Sequence, residues 1–516
     1  MAMRAWSSGS FVVSAAPGAG KTRPALVLAR ELLRARAVQR VVVVCPTTPL
    51  TRQWAQAAGR LGLHLVPDAG ELRPPRDFDG IAVTYARVAG VAERWSRQCS
   101  PGTLVIADEA HHLGEDLAWG EGFTQALGGA ARWLLLSGTP FRSDASPIPG
   151  VRYDNGVAVP DVSYTYADAV RDGVCRPVSF IPYDGVLQWR SGDDDIVEAS
   201  FADALVGREA ARRYRTAIST ELPDGLPRIL AQAHERLEAL RRDGHPDAGG
   251  LVIAADGTHA KAIAQILRTV TGKAPTVVLH TEARAAQKLS AFTKSSERWL
   301  VAVNMVSEGV DIPRLRIGVY ATAAKTPLIF RQIVGRFVRT IPGRPIDMSW
   351  LYLPADPVLR SHAGEVETEL RHVLKPPAEG DPYALDEPDE RVETERSDVP
   401  QFVPVAADVA PQMALFGPPG GAPATAVPVF RPAVADEPEP EDLPAFERRQ
   451  LLRDKRHRLV ADLRRRDGRT HAEINLWLNR SVGIRRVEEA TIEQLEKSID
   501  VLLEELGGRR RASTRR

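Results

Sequence analysis

The chain has 516 residues, of which 44% are apolar and 26% charged. These values are typical of globular proteins and leave room for about three or four domains of ~150 residues. Lysine and arginine number 67 against 66 aspartate and glutamate, a net charge of +1, so a uniformly basic nucleic-acid coat is excluded although local patches are not. The isolated cysteines Cys45, Cys99 and Cys175 exclude a disulfide scaffold and match no metal-binding spacing. Without an apolar run of ~18 residues or a signal-peptide pattern, we expect a cytoplasmic protein with no membrane contact.

Short apolar runs alternate with amphipathic stretches up to about residue 375, which predicts β-α units around parallel sheets. A first series of predicted strands comprises Phe11–Ser14, Val41–Cys45, Ile81–Thr84, Thr103–Ala107 and Trp133–Leu136. A second series comprises Leu251–Ala254, Thr276–Leu279, Trp299–Val303 and Ile317–Ala321. The two series predict two α/β domains, at residues 1–150 and 226–375.

Residues 151–225, between these domains, have a different pattern. The sequence YDGVLQWRSGDDDIVEASF predicts a β-hairpin around the turn residues Ser191, Gly192 and Asp193. This region is either an accessory insert or the entry to the second domain.

The last third of the chain changes composition twice. Residues 376–445 contain 15 acidic and 3 basic residues and roughly a fifth proline, which predicts a disordered acidic linker. Residues 446–508 are predicted to form a basic helical module, because 446–466 alone hold nine basic and three acidic residues on a helical pattern. A second helix is predicted near Thr470 and a third at Thr491, whose spacing to Gln494 predicts a capping box. Residues 509–516 form a basic tail.

A phosphate-binding turn is predicted directly after the first strand. The sequence AAPGAGKT (15–22) runs into a helical pattern and departs from the P-loop G-x-x-x-x-G-K-[ST] only in that Ala15 replaces the first glycine. Lys21 would reach the β- and γ-phosphates and Thr22 would bind Mg²⁺. The turn that would surround the phosphates consists of Ala16, Pro17, Gly18, Ala19 and Gly20. The alternative is an ordinary glycine-rich turn, but Lys-Thr at this offset between strand and helix favours the nucleotide site.

Two carboxylates are predicted at the end of the strand in TLVIADEAHH. Asp108 would hold Mg²⁺ and Glu109 would orient and deprotonate the attacking water, because α/β sheets bind ligands at the carboxyl ends of their strands. The alternative is an acidic strand end bonded to a neighbouring helix. His111 and His112 have no further ligand at metal-binding spacing, which favours a coupling or structural role.

These segments resemble motifs of the superfamily 2 DEAD/DEAH-box helicases. The turn 15–22 is similar to motif I, Asp108-Glu109-Ala110-His111 to motif II, and Ser137-Gly138-Thr139-Pro140 to motif III. Four further segments match at the expected places in the order of motifs. Between motifs I and II, PTTPLTRQW (46–54) is similar to motif Ia and VTY (83–85) to motif Ib. After motif III, SEGVDIP (307–313) is similar to motif V and QIVGRFVR (332–339) to motif VI. The nearest resemblance is to the bacterial type III restriction and DNA-repair branch.

The resemblance implies two RecA-like domains that enclose ATP and Mg²⁺. Gln332 would face the nucleotide, and Arg336 and Arg339 would be arginine fingers, which contribute ~10³–10⁵ in rate in related NTPases. Their alternative is pairing with local carboxylates, but the spacing G-R-x-x-R predicts that both arginines share one helical face, which favours the arginine-finger role. Glu308, Gly309 and Asp311 would link nucleotide to nucleic acid, the last two as nucleotide contacts. Relatives usually carry an adenine-recognising helix before motif I, whereas only MAMRAWSSGS precedes the first strand here, so adenine selectivity stays open and ATP is the expected nucleotide.

The resemblance also implies coupling and nucleic-acid contacts. His111, Ser137, Thr139 and Glu308 would couple hydrolysis to domain movement. Nucleic acid would be held independently of its base sequence by Thr47, Arg52, Gln53 and Thr84. Trp54 either stacks on a base or lies in the core.

The predicted function is therefore an ATP-dependent helicase or translocase, a hydrolase acting on acid anhydrides, with DNA as the favoured polymer. One alternative is a catalytically silent nucleic-acid-binding scaffold, which would have no physical need to keep Lys21, Asp108, Glu109, Arg336 and Arg339. The other is a motor subunit of a restriction or nuclease complex, in which a partner chain would cleave. The C-terminal helices are an auxiliary nucleic-acid clamp, a docking surface for a protein partner or simply a solvated face. The acidic linker is expected to compete for their basic surface.

Overall fold

The computed structural model describes residues 6–115, 117–138, 147–155, 157–191, 195–279, 282, 284–303, 312–341, 343–344, 347–374, 403–412 and 443–513. The chain forms two compact units. The first consists of Met1–Ser14, Gly20–Ser163 and Val434–Arg516, and the second of Ala15–Ala19 and Tyr164–Ala433.

The first unit is built on a mainly parallel sheet. Its strands are β1 (Gly9–Ala15), β2 (Arg40–Cys45), β3 (Leu65–Pro67), β4 (Gly80–Thr84), β5 (Thr103–Asp108), β6 (Arg132–Ser137) and β9 (Val162–Tyr164), in the order β3-β4-β2-β5-β6-β1-β9. Strands β1 to β6 pair in parallel, and β7 (Arg152–Asp154) and β8 (Val157–Val159) form a separate antiparallel pair. All five strands predicted in this region are present.

Helices cover both faces of this sheet. They are α1 (Thr22–Arg34), α2 (Thr48–Gly59), α3 (Tyr85–Gly90), α4 (Ala92–Ser96), α5 (His112–Glu115) and α6 (Leu117–Leu127). The run Val41–Cys45 is completely buried, because a central parallel strand has helices on both sides. Because both faces of β2 are buried, its sequence VVVVC is apolar without interruption.

The second unit contains an eight-stranded sheet. Its strands are β10 (Val178–Ser191), β11 (Asp195–Ala199), β12 (Gly249–Ala254), β13 (Thr276–Val278), β14 (Trp299–Val303), β15 (Leu315–Ala321), β16 (Ser349–Pro354) and β17 (Val403–Pro411). The order is β11-β10-β16-β15-β12-β14-β13, and β17 pairs with β10. The helices are α7 (Tyr166–Arg171), α8 (Gly207–Ala217), α9 (Leu226–Arg242), α10 (Gly257–Thr271), α11 (Ala285–Lys294), α12 (Pro327–Phe337) and α13 (Pro357–Leu374).

The predicted hairpin is confirmed, and it belongs to the second sheet. Strands β10 and β11 are antiparallel, with Ser191 opposite Asp195, while the turn residues 192–194 lie outside the described residues. On its other side β10 pairs in parallel with β16, with Val178 opposite Ser349. Residues 164–225 are therefore the entry to the main segment of the second unit, Tyr164–Ala433, which does not begin at residue 226, while residues 151–163 belong to the first unit.

The linker prediction is wrong for one segment. Val403–Pro411, within the range 376–445, forms strand β17 and pairs antiparallel with β10. The buried residues Ala407 and Val409 alternate with the exposed Asp408 and Ala410, the period of a half-buried strand. Residues 376–402 and 413–442 lie outside the described residues.

The C-terminal helical module belongs to the first unit. It contains α14 (Ala445–Asp467), α15 (His471–Val482), a 3₁₀ turn (Val487–Glu489) and α16 (Ile492–Ser513). Both predicted helix starts are confirmed as capping boxes, Thr470 with Glu473 and Thr491 with Gln494. One buried cluster of the module consists of Val460, Leu463, Ile474, Leu478 and Leu502, and a second consists of Ile484, Ala490 and Leu495.

Contacts between described residues attach this module to the rest of the first unit. The Ile492 backbone N–H donates to Asp77 Oδ2 at 2.8 Å, and the Arg449 guanidinium lies 5.7 Å from the centre of the Phe78 ring. Gln56 Nε2 of α2 donates to Glu447 Oε1 at 3.4 Å. Among the described helices none has a stretch long and apolar enough to cross a bilayer.

Candidate functional site

The predicted catalytic residues of the first unit converge on one edge of its sheet. The carboxyl ends of parallel strands meet at the same edge, and Lys21, Thr84, Asp108 and Ser137 all lie at or just after such an end. Strand β5, which ends in Asp108, lies between β2 and β6. The fold therefore groups the residues that the motif pattern predicts.

Lys21 forms an ion pair with Glu109. Its Nζ lies 2.7 Å from Glu109 Oε1, and the Lys21 side chain is only 9% exposed. Lys21 is the N-cap residue of α1, so its ammonium group stands where the helix dipole also favours anions. A triphosphate at this helix end would compete with Glu109 for the lysine.

Asp108 is buried and lies next to a second carboxylate. It is 7% exposed, and burial together with the negative charge of Glu109 raises its pKa to about 6, against the opposing effects of Lys21 and of Trp54. Trp54 Nε1 donates to Asp108 Oδ2 at 2.8 Å, and the Tyr85 hydroxyl donates to the Asp108 carbonyl oxygen at 2.8 Å. Among the described residues Asp108 forms no ion pair. A buried carboxylate in this position would be stabilised by a cation.

Glu109 has both an unusual backbone conformation and a strongly held negative charge. Its φ of 52° lies in the left-handed region, which non-glycine residues adopt rarely and often at functional sites. Burial would raise its pKa, but the charge and hydrogen bond of Lys21, helped by His111, hold that pKa well below its usual range. The Gly138 N–H also approaches Oε2, at 3.4 Å. Glu109 is therefore ionised, as a residue that accepts a proton from water must be.

His111 connects the segment after β5 with the end of β6. Its Nδ1 lies 3.1 Å from Ser137 Oγ and 3.6 Å from Glu109 Oε2, and both His111 and Ser137 are buried. The contact joins the predicted motifs II and III through side chains. No group of three or more metal-ligating side chains occurs in the described part of the chain.

The predicted nucleic-acid residues divide into exposed and structural side chains. Arg52 and Gln53 are exposed on α2. Thr47 is the N-cap residue of α2, and its Oγ1 is buried without a hydrogen-bond partner in the described residues. Thr84 Oγ1 accepts from the Arg87 backbone N–H at 3.2 Å, so it caps α3. Arg52 and Gln53 are the side chains best placed to reach a polymer.

The motif VI residues lie in the second unit. Gln332 and Arg336 are four residues apart on α12, but the helix ends at Phe337 and Arg339 follows it in a β-bridge with Cys175. The two arginines therefore do not share one helical face, contrary to the expectation from spacing. Arg336 is buried, and Arg339 is half-buried with its Nε directed at the Gly335 carbonyl.

The turn Ala15–Ala19 also belongs to the second unit, where it packs against the end of α12. Gly18 and Gly20 have φ values of +85° and +77°, which only glycine adopts readily. A Cβ at Gly335 would approach Pro17 Cβ to 2.5 Å, and one at Gly18 would approach Val338 Cγ2 to 2.9 Å. Ala16 belongs to the buried core of the second unit, and Ala19 packs against that core.

Four predicted site residues lie outside the described residues: Thr139, Glu308, Gly309 and Asp311. Two contacts were not predicted from sequence. Trp54 is core, as one of its two interpretations held, but its indole also binds Asp108, and Tyr85 binds the backbone of the same residue. The motif Ia and Ib segments supply both side chains, so their aromatic residues were the available signal.

The family model of the type III restriction enzyme res subunit matches residues 4–142. An uncharacterized protein of Mycobacterium tuberculosis is 38% identical over 541 residues, which covers 95% of this chain and 89% of that protein. An uncharacterized protein of Mycobacterium leprae is 40% identical over 420 residues, with coverages of 79% and 69%. Among solved structures, S. cerevisiae Dbp5 bound to RNA and ADP BeF3 is 12% identical with a TM-score of 0.44, covering 70% of this chain and 83% of that one.

Proposed function

We propose that the chain is a DNA-dependent ATPase that translocates along DNA or separates its strands. The premise is its family: the chain belongs to the superfamily 2 helicases of the restriction-enzyme branch and shares a family with the mycobacterial proteins. The observation that carries the proposal is the group of Lys21, Asp108 and Glu109 at one sheet edge, with Lys21 and Glu109 only 2.7 Å apart. This group holds a phosphate-binding cation, a metal-binding carboxylate and a base within one buried site.

The residues present fit a Mg²⁺-bound triphosphate. The buried Asp108 carboxylate has no ion pair in the described residues and a pKa raised to about 6, so a divalent cation would offset its burial. Thr22 begins α1 directly after Lys21 and supplies a hydroxyl for the same ion. When bound, Mg²⁺ would neutralise charge that develops on the phosphates.

Hydrolysis then depends on a change of ion-pair partner at Lys21, from the Glu109 carboxylate to the γ-phosphate. A γ-phosphate that takes up the Lys21 ammonium weakens its ion pair with Glu109. Glu109, which is ionised and held at φ 52°, is then able to orient a water molecule and accept its proton. The His111–Ser137 contact is placed to transmit this change from the segment after β5 to the end of β6.

The arginine-finger role of Arg336 and Arg339, and the nucleotide contact of Gln332, stay predictions from the family resemblance. So do the roles of Gly309, Asp311, Glu308 and Thr139. DNA is favoured over RNA because the family model that matches 4–142 is that of a restriction enzyme subunit.

The experiment that tests the proposal measures phosphate release by the purified chain without polymer and with single-stranded DNA, duplex DNA or RNA. We expect stimulation by DNA. Glu109→Gln should lower kcat by ~10²–10⁴-fold, the usual contribution of a general base, while ATP binding remains. Binding is followed with a fluorescent nucleotide.

Glu121→Gln is the matched control, because Glu121 is exposed on α6 and the change in charge is the same. It should keep wild-type activity. Equal loss of kcat in both variants would contradict the role of Glu109. Wild-type hydrolysis that no polymer alters would contradict the DNA-dependent motor, and absence of hydrolysis with retained DNA binding would favour the silent scaffold.

A further inference from the structure

A cleft of about 810 Å³ separates α2 and the β3–β4 region of the first unit from the C-terminal helical module. Arg52 on α2 lines it on one side, and Phe446 and Arg486 of the module line it on the other. All of these residues belong to the first unit, and the contacts of Gln56 and Asp77 with the module hold its walls together. The cleft is therefore formed by packing and hydrogen bonding within this unit.

The charges on its walls favour an anionic ligand. Arg52, Arg73 and Arg486 are exposed, and within the described part of the chain none of their guanidinium groups has a carboxylate partner. Three of the five carboxylates that line the cleft are already engaged in ion pairs: Asp68 with Arg87 at 3.8 Å, Glu71 with Arg94 at 3.3 Å and Glu488 with Arg453 at 3.9 Å. The side chains of the cleft walls that have no ion-pair partner among the described residues therefore present a net positive charge to a ligand.

A fourth arginine is fixed inside the wall. Arg449 is buried, and its guanidinium donates to the carbonyl oxygens of Ala490 and Glu488 at 3.2 and 2.6 Å. Among the described residues it forms no ion pair, although the Asp77 and Glu488 carboxylates partly offset its charge. Burial lowers its pKa only to about 10, so it stays charged at neutral pH and adds positive potential to the cleft. The positive electrostatic potential of the cleft therefore comes from a buried arginine of the folded module as well as from exposed arginine side chains.

The cleft also offers a stacking surface. Phe446, at the start of α14, is half-buried and lines the same space as Arg52 and Arg486. Binding of single-stranded nucleic acid combines cationic side chains that follow the phosphates with aromatic rings on which bases stack. In a duplex the bases are already stacked on one another, so they do not stack on such a ring.

We propose that this cleft is a second binding site for single-stranded nucleic acid, which extends the path from the motif Ia residue Arg52 onto the C-terminal module. The inference rests on the proposed function, since it assigns a further polymer site to the same motor. It assigns the module the role of a clamp, and not of a docking surface for a protein partner. Phosphates would contact Arg73 and Arg486, and a base would stack on Phe446.

The test uses the full chain and a fluorescent oligothymidine, with the dissociation constant measured by anisotropy at several salt concentrations. Arg73→Ala and Arg486→Ala should each weaken binding and each lower the slope of log Kd against log salt by ~0.7, the value for one phosphate contact with a single strand. Phe446→Ala should weaken binding roughly five-fold or more while leaving that slope unchanged, because stacking releases no counterion.

Arg60→Ala and Arg480→Ala are the matched controls. Both arginines are exposed on the same unit, Arg60 at the end of α2 and Arg480 on α15, and neither lines the cleft. They should leave affinity and slope close to those of the wild type. Thermal unfolding of each variant checks that the module remains folded.

Three results would overturn the proposal. In the first, the cleft and control variants bind the oligothymidine equally well, which removes the site but leaves DNA-stimulated hydrolysis, and so the proposed function, standing. In the second, the cleft variants weaken duplex binding alone, which makes the ligand a duplex. In the third, they bind the single strand more tightly, as they would if the cleft held an acidic segment of protein.

Discussion

Trp54 lies in the core of the first unit and also donates a hydrogen bond to the carboxylate that we propose binds Mg²⁺. It is 1% exposed, and its Nε1 lies 2.8 Å from Asp108 Oδ2. It also follows Arg52 and Gln53 on α2, so the helix that is expected to contact nucleic acid also holds Asp108 in place. Trp54 is thus a positioning residue.

Replacement of Trp54 by phenylalanine should raise the Mg²⁺ concentration needed for half-maximal hydrolysis. The ring volume is nearly kept, whereas the hydrogen bond that orients Asp108 is lost, and loss of such a partner typically costs ~10-fold or more in metal affinity or activity. The measurement is a Mg²⁺ titration of DNA-stimulated phosphate release at fixed ATP.

Trp95→Phe is the control for that experiment. Trp95 is fully buried in the same unit, but its Nε1 has no hydrogen-bond partner among the described residues. It should lower stability without moving the Mg²⁺ titration. A common shift in both variants would show that Trp54 acts only through packing.

Single residues also show where spacing misled. The pattern G-R-x-x-R predicts that Arg336 and Arg339 share one helical face, but α12 ends at Phe337. Helix ends depend on backbone contacts with other segments, here the bridge between Cys175 and Arg339, and no residue near 339 encodes that partner. The placement of Lys21, Asp108 and Glu109 at one sheet edge was predictable, because each follows or ends a strand that its own apolar pattern identifies.

At the scale of the element, β17 shows how an average over a long window hides a strand. Residues 376–445 are acidic and rich in proline as a whole, yet Val405, Ala407 and Val409 alternate with more polar or smaller residues. Their partner β10 lies more than 200 residues earlier in the chain, with Gly185 opposite Val409. Local composition therefore could not reveal it.

The close approach of β17 to β10 at Gly185 predicts a specific sensitivity. A Cβ at Gly185 would lie 1.8 Å from the Asp408 carbonyl oxygen and 2.8 Å from Val409 Cα, so Gly185→Ala must push β17 away. We expect a loss of ~1–3 kcal/mol in the free energy of unfolding, as for other overpacked sites. Hydrogen exchange of the amides of residues 403–411 should increase as well.

Gly364→Ala provides the contrast within the same unit. Gly364 lies on α13, and a Cβ there would meet no atom within 4 Å. This substitution should leave stability unchanged or raise it by ~0.5–1 kcal/mol, because alanine loses less backbone entropy in a helix. Unchanged exchange of 403–411 in Gly185→Ala would contradict the pairing.

At the scale of the whole molecule, the chain separates opposite charges. Fourteen of the fifteen acidic residues in 376–445 lie outside β17, while the C-terminal helices that follow are basic. Flexible acidic segments compete with nucleic acid for basic surfaces when salt is low. That competition remains a prediction from composition.

The position of β17 determines how the competition should be tested. Deletion of 376–445 would remove a strand of the second sheet, so the fourteen acidic residues should instead be changed to their amides. We expect tighter binding of oligothymidine by a few-fold at low salt, with the difference lost at high salt as Coulomb interactions are screened. An exchange of each Asp for Glu and each Glu for Asp keeps the charge and should bind like the wild type, and equal affinity of all three proteins would contradict the idea.

The amino-acid sequence by itself determined the two α/β units and the candidate residues that we propose bind phosphate, metal and water. Those features depend on residues close together in the chain, whose spacing and apolar periodicity are set locally. Only the tertiary structure decided that Trp54 binds Asp108, that β17 completes the second sheet and that the C-terminal helices pack on the first unit beside Arg52. Such contacts join segments tens to hundreds of residues apart, and their geometry follows from packing and hydrogen bonding of the whole fold.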